Sequence, residues 1–432
     1  MRGLYVFTHD CRLHDNRLLK ELVGQVDELI CLYILDTRFL HHTLFQTTGL
    51  SLHRQLFLLQ TLKDLSRQLE SLGQRLIVRV GDSHKIIPQW VQRYSIERMA
   101  MTFHPGVYEQ DLRNALFDKG MPLMTSSSSE QFTLLTQGLL PFELNRIDFS
   151  FTAFRKQVEP LFNDFYRKKY LFGLDDTIDS LPMRPVIADH EISDQLPFDA
   201  EKLLQQKSDF VGGETRALEQ LAYFCQPGRL DHYKETRNGL AGWDFSSKLA
   251  PWLANGSLSA RKVWQSVNDF EQEYGENDST YWLKFELLWR EYFQWLLLSH
   301  GKRYFRFSGL TGKRPLKTFY PEHYKAWVEG NTGHKGVDAA MKQLKQTGWL
   351  SNRARQWAAS CFIHELGLDW RFGAAYFEHQ LVDFDVASNW GNWLYLAGVG
   401  TDPRGSRQFN LQKQLDSYDP QGEFCKTWLV EK

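Results

Sequence analysis

Cysteine is scarce in this chain of 432 residues: there are five, Cys11, Cys31, Cys225, Cys361 and Cys425, and no Cys-x-x-Cys pair. That spacing excludes a disulfide framework and a thiolate zinc or iron–sulfur site, and it suits a reducing cytoplasm. An excess of either charge is also missing. The formal net charge is −1, which rules out a globally basic nucleic-acid binder but leaves room for a local basic patch. Apolar runs such as Leu29–Leu35 are too short to span a bilayer, so no membrane partner is expected. The opening Met1-Arg-Gly-Leu-Tyr-Val-Phe-Thr reads as a strand, without the apolar core or cleavage site of a signal peptide. No Gly-x-Gly-x-x-Gly turn follows it; the chain runs Thr8-His-Asp-Cys-Arg-Leu-His-Asp15, which removes the usual dinucleotide fingerprint. No histidines stand at ligand spacing, and Asp383-Phe-Asp385 lacks the glycine and final glutamate of a calcium loop. No metal is expected.

What is present is divided unevenly. Apolar residues make up 42% and charged residues 24% of the chain, a globular balance. Aromatics reach 14%, and of 14 tryptophans only Trp90 precedes residue 240. The two ends must do different physical work. In the first, residues 1–130, short apolar runs alternate with amphipathic stretches. Gly3–Thr8, Glu28–Leu35, Arg75–Val80, Ile96–Phe103 and Met121–Ser126 are expected strands, the last weakened by Pro122. Ser51–Leu72, Ile86–Tyr94 and Val107–Lys119 are expected helices. The alternation predicts an α/β domain with a doubly wound, parallel, five-stranded sheet. Residues 131–213 carry Pro141, Pro160, Pro182, Pro185 and Pro197 with little periodicity, and are expected to be a long interdomain linker. Phe142, Phe149, Phe151, Phe154, Phe162 and Phe165 would anchor it to the surface.

From 214 to 432 helical periodicity dominates, in Arg216–Cys225, Ser259–Tyr274, Thr280–Ser299, Gly336–Thr347, Asn352–Leu366 and Phe372–Asp383. An all-helical domain is expected there, with Asp278 or Ser279 capping the helix of Trp282 and Gly301 ending it. Between Lys284 and Arg355 there are 14 Lys/Arg against 5 Asp/Glu. KRYFRFSGLTGKRPLK (302–317) holds six bases, no acid and three aromatics. Basic groups among aromatics suit phosphate contact beside base stacking, or simply a solvated charged face. In 382–404, Asp383, Asp385 and Asn389 precede Trp390, Trp393 and Tyr395. Carboxylates beside tryptophans need partners, and Arg353 and Arg355 are the candidates. The cluster is either an ion pair joining two helices or the polar floor of a site for a planar ligand. Asp244-Phe-Ser-Ser-Lys-Leu-Ala-Pro-Trp-Leu-Ala254 offers hydroxyls, free N–H groups and a cation at a helix start, as a plain cap or as an anion site.

These segments resemble the cryptochrome/photolyase family, specifically its cryptochrome DASH branch. The resemblance runs almost the full length, through CRLHDN (11–16), YKETRNGLAGWDFSSKLAPWLANGSLSARKVW (233–264), TYWLKFELLWREYF (280–293), TGWLSNRARQ (347–356), LDWRFGAAYFE (368–378), DFDVASNWGNWLYLAGVGTDPR (383–404) and KQLDSYDPQGEF (413–424). It implies an α/β domain, a linker, and a helical domain holding a U-shaped FAD. Tyr233, Ser246, Ser247, Lys248 and Leu249 would follow the phosphates and ribityl chain, and Arg290, Asn352, Arg355, Asp383, Asp385 and Asn389 the rings. Asn389 would face flavin N5. Trp393 and Trp370 match the inner two members of the family's photoreducing tryptophan chain. The third member falls on Lys317, with Phe319 and Tyr320 nearby.

The implied reaction is blue-light-driven repair of cyclobutane pyrimidine dimers by electron transfer from reduced FAD. Glu286 would contact the lesion, with Trp289, Tyr395 and Gln356 lining its pocket. The lesion must leave its stack to enter, which single strands allow most cheaply; photolyases are themselves a standard example of such base flipping. The rival is a blue-light photoreceptor that binds FAD and DNA and signals through an unidentified partner. Glu286, Trp289 and the four residues left after Trp428 favour repair, and a monomer is expected. A second chromophore, methenyltetrahydrofolate, is common in the branch and would sit between the domains, near Phe142, Glu143 and Phe154-Arg-Lys156. The chain departs from the family at Thr8-His9-Asp10, Ala250 and Thr332-Gly-His-Lys335.

Overall fold

A computed structural model describes residues 1–45, 47–163, 177–188 and 194–429. Its first strand, β1 (Arg2–Phe7), is buried on both faces. Leu4 and Val6 point to one side and Tyr5 and Phe7 to the other, as a two-residue period requires. β2 (Glu28–Asp36) and β4 (Arg98–Met101) pair with β1, and β3 (Leu76–Gly81) pairs with β2. All pairs are parallel, in the order β3-β2-β1-β4. Helices α1 (Arg17–Val23) and α2 (Leu52–Ser71) cover the Tyr5 face. The Leu4 face is covered by α3 (Ser83–Arg93) and α4 (Val107–Asp118). Burying each such leucine contributes about 1.5–3 kcal/mol.

The doubly wound parallel sheet is as expected, but it has four strands rather than five. Met121–Ser126 makes only an isolated bridge, Met99 to Leu123. Pro122 has no N–H to donate, and the contact stops at the Met99 N–H to Pro122 carbonyl and Met124 N–H to Met99 carbonyl bonds. The proline-rich stretch also differs from expectation, because it contains helix α5 (Phe151–Asn163) with Pro160 inside it. Phe151, Phe154 and Phe162 are buried in the helical core, while Phe142 and Phe149 pack against it; Phe165 lies outside the described residues.

The main helices of the second half are α6 (Glu214–Phe224), α7 (Ala250–Asn255), α8 (Ala260–Tyr274), α9 (Asp278–His300), α10 (Pro321–Glu329), α11 (Lys335–Thr347), α12 (Asn352–Ser360), α13 (Trp370–Gln380), α14 (Val386–Ala397), α15 (Leu411–Tyr418) and α16 (Glu423–Leu429), with a single helical turn at Tyr233–Thr236. The cap of α9 is Asn277, not Asp278 or Ser279. Its side chain accepts from the Ser279 and Thr280 N–H groups while Thr280 reaches back in a capping box. Helix α12 is shorter than its periodicity suggests and passes into a π turn at Cys361–Glu365. Phe377, Trp327, Trp357, Trp370 and Trp393 fill the interior. All five cysteines are free. Among the described residues no helix is long and apolar enough to cross a membrane.

Polar contacts join the halves along residues 9–16. Asp15 and Arg261 form a buried ion pair at 2.8 Å. The Leu13 N–H donates to Glu214 Oε2 at 2.6 Å, and Arg12 Nη1 to the Gly256 carbonyl at 2.9 Å. Gly256 has φ +74°, and a Cβ there would lie 1.8 Å from the His9 carbonyl oxygen, so no side chain fits this approach.

Candidate functional site

The α13–α14 corner carries the densest set of expected residues. Arg355, on α12, donates from Nη2 to Asp383 Oδ2 at 2.7 Å and from Nε and Nη2 to the Leu350 carbonyl at 3.0 and 2.9 Å. Arg353 does not join this pair. It donates to Gln356 Oε1 at 3.0 Å and Asn238 Oδ1 at 2.9 Å, and its guanidinium lies over Tyr418. The two arginines are two positions apart on a helix and so face different sides.

Asp385 caps α14 by accepting the Ser388 N–H at 2.7 Å, and its other oxygen accepts from Gln294 Nε2 at 2.6 Å. Burial opposes its ionisation, yet the Arg290 cation and Ser388 hold its carboxyl below the usual range. Arg290 is itself held by the Phe132 carbonyl at 2.6 Å. Asn389 donates to the Ala374 carbonyl at 3.0 Å, tying α14 to α13. Trp393 lies against Gly373, where a Cβ would meet its ring at 2.3 Å. Trp370, three residues before Gly373, donates to the Phe307 carbonyl at 3.1 Å and packs edge-on against Trp390. Phe319 stacks on Phe372, and Tyr320 is exposed.

The serine–lysine segment faces the same corner. Lys248 has φ +56°, which turns Nζ back to Ser246 Oγ at 3.0 Å and over the Trp349 ring at 4.2 Å. Burial pushes its ammonium down to about 8, with Asp244 opposing and Arg355 adding to the shift. The Leu249 N–H points to Ser247 Oγ at 3.5 Å. Tyr233 is buried against Phe224, whereas Asn352, at the first position of α12, is exposed.

A second group lies along α9. Trp289 stacks on Phe151 at 3.7 Å and meets Tyr395 edge-on at 6.4 Å. With Tyr292, Thr401 and Arg404 these rings line a cavity of about 240 Å³. Glu286, three residues before Trp289, accepts a hydrogen bond from Arg237. Burial raises its carboxyl above the usual range, and Arg237 only partly offsets this. Glu286 and Gln356 are not among the residues lining that cavity.

Several residues here escape a reading of the sequence. Arg237 sits in the YKETRNG segment, but nothing in its spacing names Glu286 as its partner. Gln294 follows Arg290 by one helical turn, a signal that could have found it. Arg54 crosses from α2 to the Glu378 carbonyl at 2.5 Å and lies over the ring of Phe384, the residue between the two aspartates in sequence. His9, His104 and Glu109 also converge, although no sequence spacing marks them. The two imidazoles stack nearly parallel at 3.9 Å, which directs the in-plane lone pairs side by side rather than to one point. His104 Nδ1 already accepts the Gly106 N–H at 3.1 Å. The group is a His9–Glu109 pair at 3.0 Å beneath a His104 that burial pushes down to about 3. Of the residues expected near a folate, Phe142 packs on Phe149 and Phe154, and Arg155 of α5 lies over Phe285 of α9.

Two acceptors at the corner, Asp383 Oδ1 and Gln294 Oε1, are buried without a partner among the described residues. Such atoms cost about 1–3 kcal/mol each, so the corner suits a ligand that donates. The uracil-like edge of a flavin carries one N–H between two carbonyls. A carboxylate beside a guanidinium meets that pattern, and the residues fit the FAD that the resemblance implies.

Comparison with known proteins gives the same picture. Residues 3–166 match the family model for DNA photolyase, and residues 282–432 the model for the FAD binding domain of DNA photolyase. The chain is 44% identical to the cryptochrome DASH of Idiomarina loihiensis, over 99% of this chain and 92% of that one. It is 43% identical to that of Vibrio parahaemolyticus, over 99% and 93%. The crystal structure of a Synechocystis cryptochrome superimposes with a TM-score of 0.86 at 35% identity, covering 99% of this chain and 89% of that one.

Proposed function

Because this chain belongs to the cryptochrome/photolyase family, in its cryptochrome DASH branch, we propose that it repairs cyclobutane pyrimidine dimers in single-stranded DNA under blue light. The observation that carries the reading is the aromatic cavity of Trp289, Phe151 and Tyr395, with an arginine-held, half-buried Glu286 one helical turn away. Two extruded pyrimidines need stacking surfaces and an acid or carboxylate for their carbonyl and N–H edges. FAD, when bound, would supply the electron chemistry; Arg355, Asp383 and Asn389 would hold its ring, and Ser246, Ser247 and Lys248 its phosphates.

The chain's own residues then have definite tasks. Arg237 fixes the Glu286 side chain, and burial raises its carboxyl above the usual range, so it would be positioned to meet the polar edge of the lesion. Trp289 is held flat by Phe151 and cannot turn away from the bases. Trp393 and Trp370 are electron donors by position, and both are buried, which excludes water from the path. A folate antenna between the halves is part of the proposal, as are a boundary near residue 130, another near 213, and a monomeric state.

The test is illumination of the reduced protein with dimer-containing oligothymidine, following recovery of thymine absorbance. Recovery on single strands is expected, and Glu286→Ala should slow it about tenfold or more while flavin stays bound. A yellow protein with no recovery in light would retire the repair reading and leave photoreception or a flavin-binding role without repair.

A further inference from the structure

The basic, aromatic stretch at 302–317 takes no part in the sites above. It is not a loosely solvated loop. The Leu310 N–H donates to the Val399 carbonyl at 2.8 Å, the Phe307 carbonyl accepts from Trp370 at 3.1 Å, and the Asp369 N–H donates to the Thr318 carbonyl at 2.7 Å. Gly309, at φ +52°, lets the turn close on Val399; a Cβ there would lie 2.4 Å from the Val399 oxygen. Val399 directly precedes Gly400–Arg404, the rim of the Trp289–Tyr395 cavity. The turn at Gly309–Leu310 therefore abuts the segment of chain that leads to the cavity rim, and the stretch is anchored at Phe307, Leu310 and Thr318.

Five of its six cations are without a carboxylate partner among the described residues. Lys302 pairs with Asp111 at 3.4 Å, and Arg404 and Arg407 are both neutralised by Asp402. By contrast Arg303, Arg306, Lys313, Arg314 and Lys317 have no carboxylate partner among the described residues. Beyond Pro315 the chain bends at Leu316, and its exposed residues are Leu316, 99% exposed, Thr318, and Tyr320, 49% exposed. Uncompensated cations on a fixed scaffold, beside apolar side chains left in water, match a partner with a regular line of negative charge and flat apolar faces. That combination is a single nucleic-acid strand. An acidic peptide would satisfy the cations but not the stacking surface.

We propose that residues 303–320 form a second, sequence-independent track for single-stranded DNA, binding the phosphates that flank the lesion while Leu316 and Tyr320 meet the bases. The proposal rests on the reading of the neighbouring cavity as a DNA site, and its test separates the two. Binding of undamaged, dye-labelled oligothymidine to the flavin-loaded protein would be followed by fluorescence anisotropy across a salt series. In Lys313→Ala/Arg314→Ala/Lys317→Ala the slope of log affinity against log salt should fall by about two, at roughly 0.7 per phosphate on a single strand. Affinity at low salt should drop about tenfold or more, and Lys313→Arg/Lys317→Arg should keep the wild-type slope. Flavin content and melting temperature serve as the folding control. An unchanged slope with intact flavin content overturns the track, as does displacement of the oligonucleotide by polyglutamate at equal charge concentration. A protein that binds oligothymidine in this way yet repairs no dimer keeps the track and loses the repair reading; normal repair with an unchanged slope does the reverse.

Discussion

The sheet half and the helical half are both well buried, but their interiors differ in kind. Around β1–β4 the core is mainly aliphatic, with Tyr5, Phe7, Trp90 and Tyr94 as its rings: Leu4, Val6, Ile30, Leu32 and Met99 lie on one face, Leu18, Leu19, Leu62 and Leu65 on the other. In the helical half the core is aromatic and interrupted by charge, with Asp383, Asp385, Arg290 and Arg355 set among tryptophans. A mainly aliphatic core can only stabilise. One that leaves Asp383 Oδ1 and Gln294 Oε1 without partners among the described residues is incomplete by itself, and that incompleteness is where a ligand belongs.

The contrast can be broken first at the seam. Asp15→Ala removes the carboxylate from a buried pair and leaves Arg261 uncompensated, so it should cost about 3–5 kcal/mol in denaturant unfolding. Asp15 titrates in the same direction. Burial opposes its charge, but Arg261 and Arg12 hold its carboxyl below the unfolded value. Its contribution is thus complete at neutral pH and is lost as pH falls through the acid range. Next, Leu32→Ala should cost about 2–5 kcal/mol while leaving the flavin spectrum unchanged, because the sheet core touches no ligand.

The helical half should respond in binding more than in stability. Asp383→Asn keeps the volume but loses the ion pair, and FAD affinity should fall about ten- to a hundredfold, or about 1.4–2.8 kcal/mol. Glu291→Gln is a structural control on the same helix as Glu286. Glu291 accepts the Leu134 and Leu135 N–H groups and Trp295 Nε1, and an amide would set one N–H against another, at about 1–3 kcal/mol. The smallest effect concerns Lys248. Its ammonium is pushed down to about 8, so FAD affinity in wild type should weaken severalfold between pH 7 and 9 as that charge is lost, and Lys248→Met should flatten the profile.

How much of this is visible in the sequence follows from range. Ser51 and Gly73 bracket α2 by local chemistry, and the structure ends the helix between them, with Ser51 capping the Arg54 N–H. Arg355 and Asp383 can be paired because each stands in a short, polar–aromatic motif. Arg353, an equal candidate by sequence, faces away because a two-residue offset places it on a different side of the helix. Helix α14 is not legible beforehand, since Asp385, the residue that suggests a ligand, is also its cap. Helix α5 is hidden by Pro160 and by phenylalanines that suit a surface anchor as well as a helix face. The His9–Glu109 contact and the Arg54 crossing join positions far apart in sequence, and no periodicity records them.

The central claim is that the aromatic half is completed by FAD at the Arg355–Asp383 pair. The direct measurement is titration of the folded apoprotein with FAD, followed by quenching of flavin fluorescence, for wild type and Asp383→Asn side by side. The account predicts one tightly held FAD per chain in wild type and a clear loss of affinity in a variant whose apoprotein is still folded at the temperature of the titration. A folded wild-type apoprotein that takes up no FAD, or a variant that binds it equally well, would contradict it.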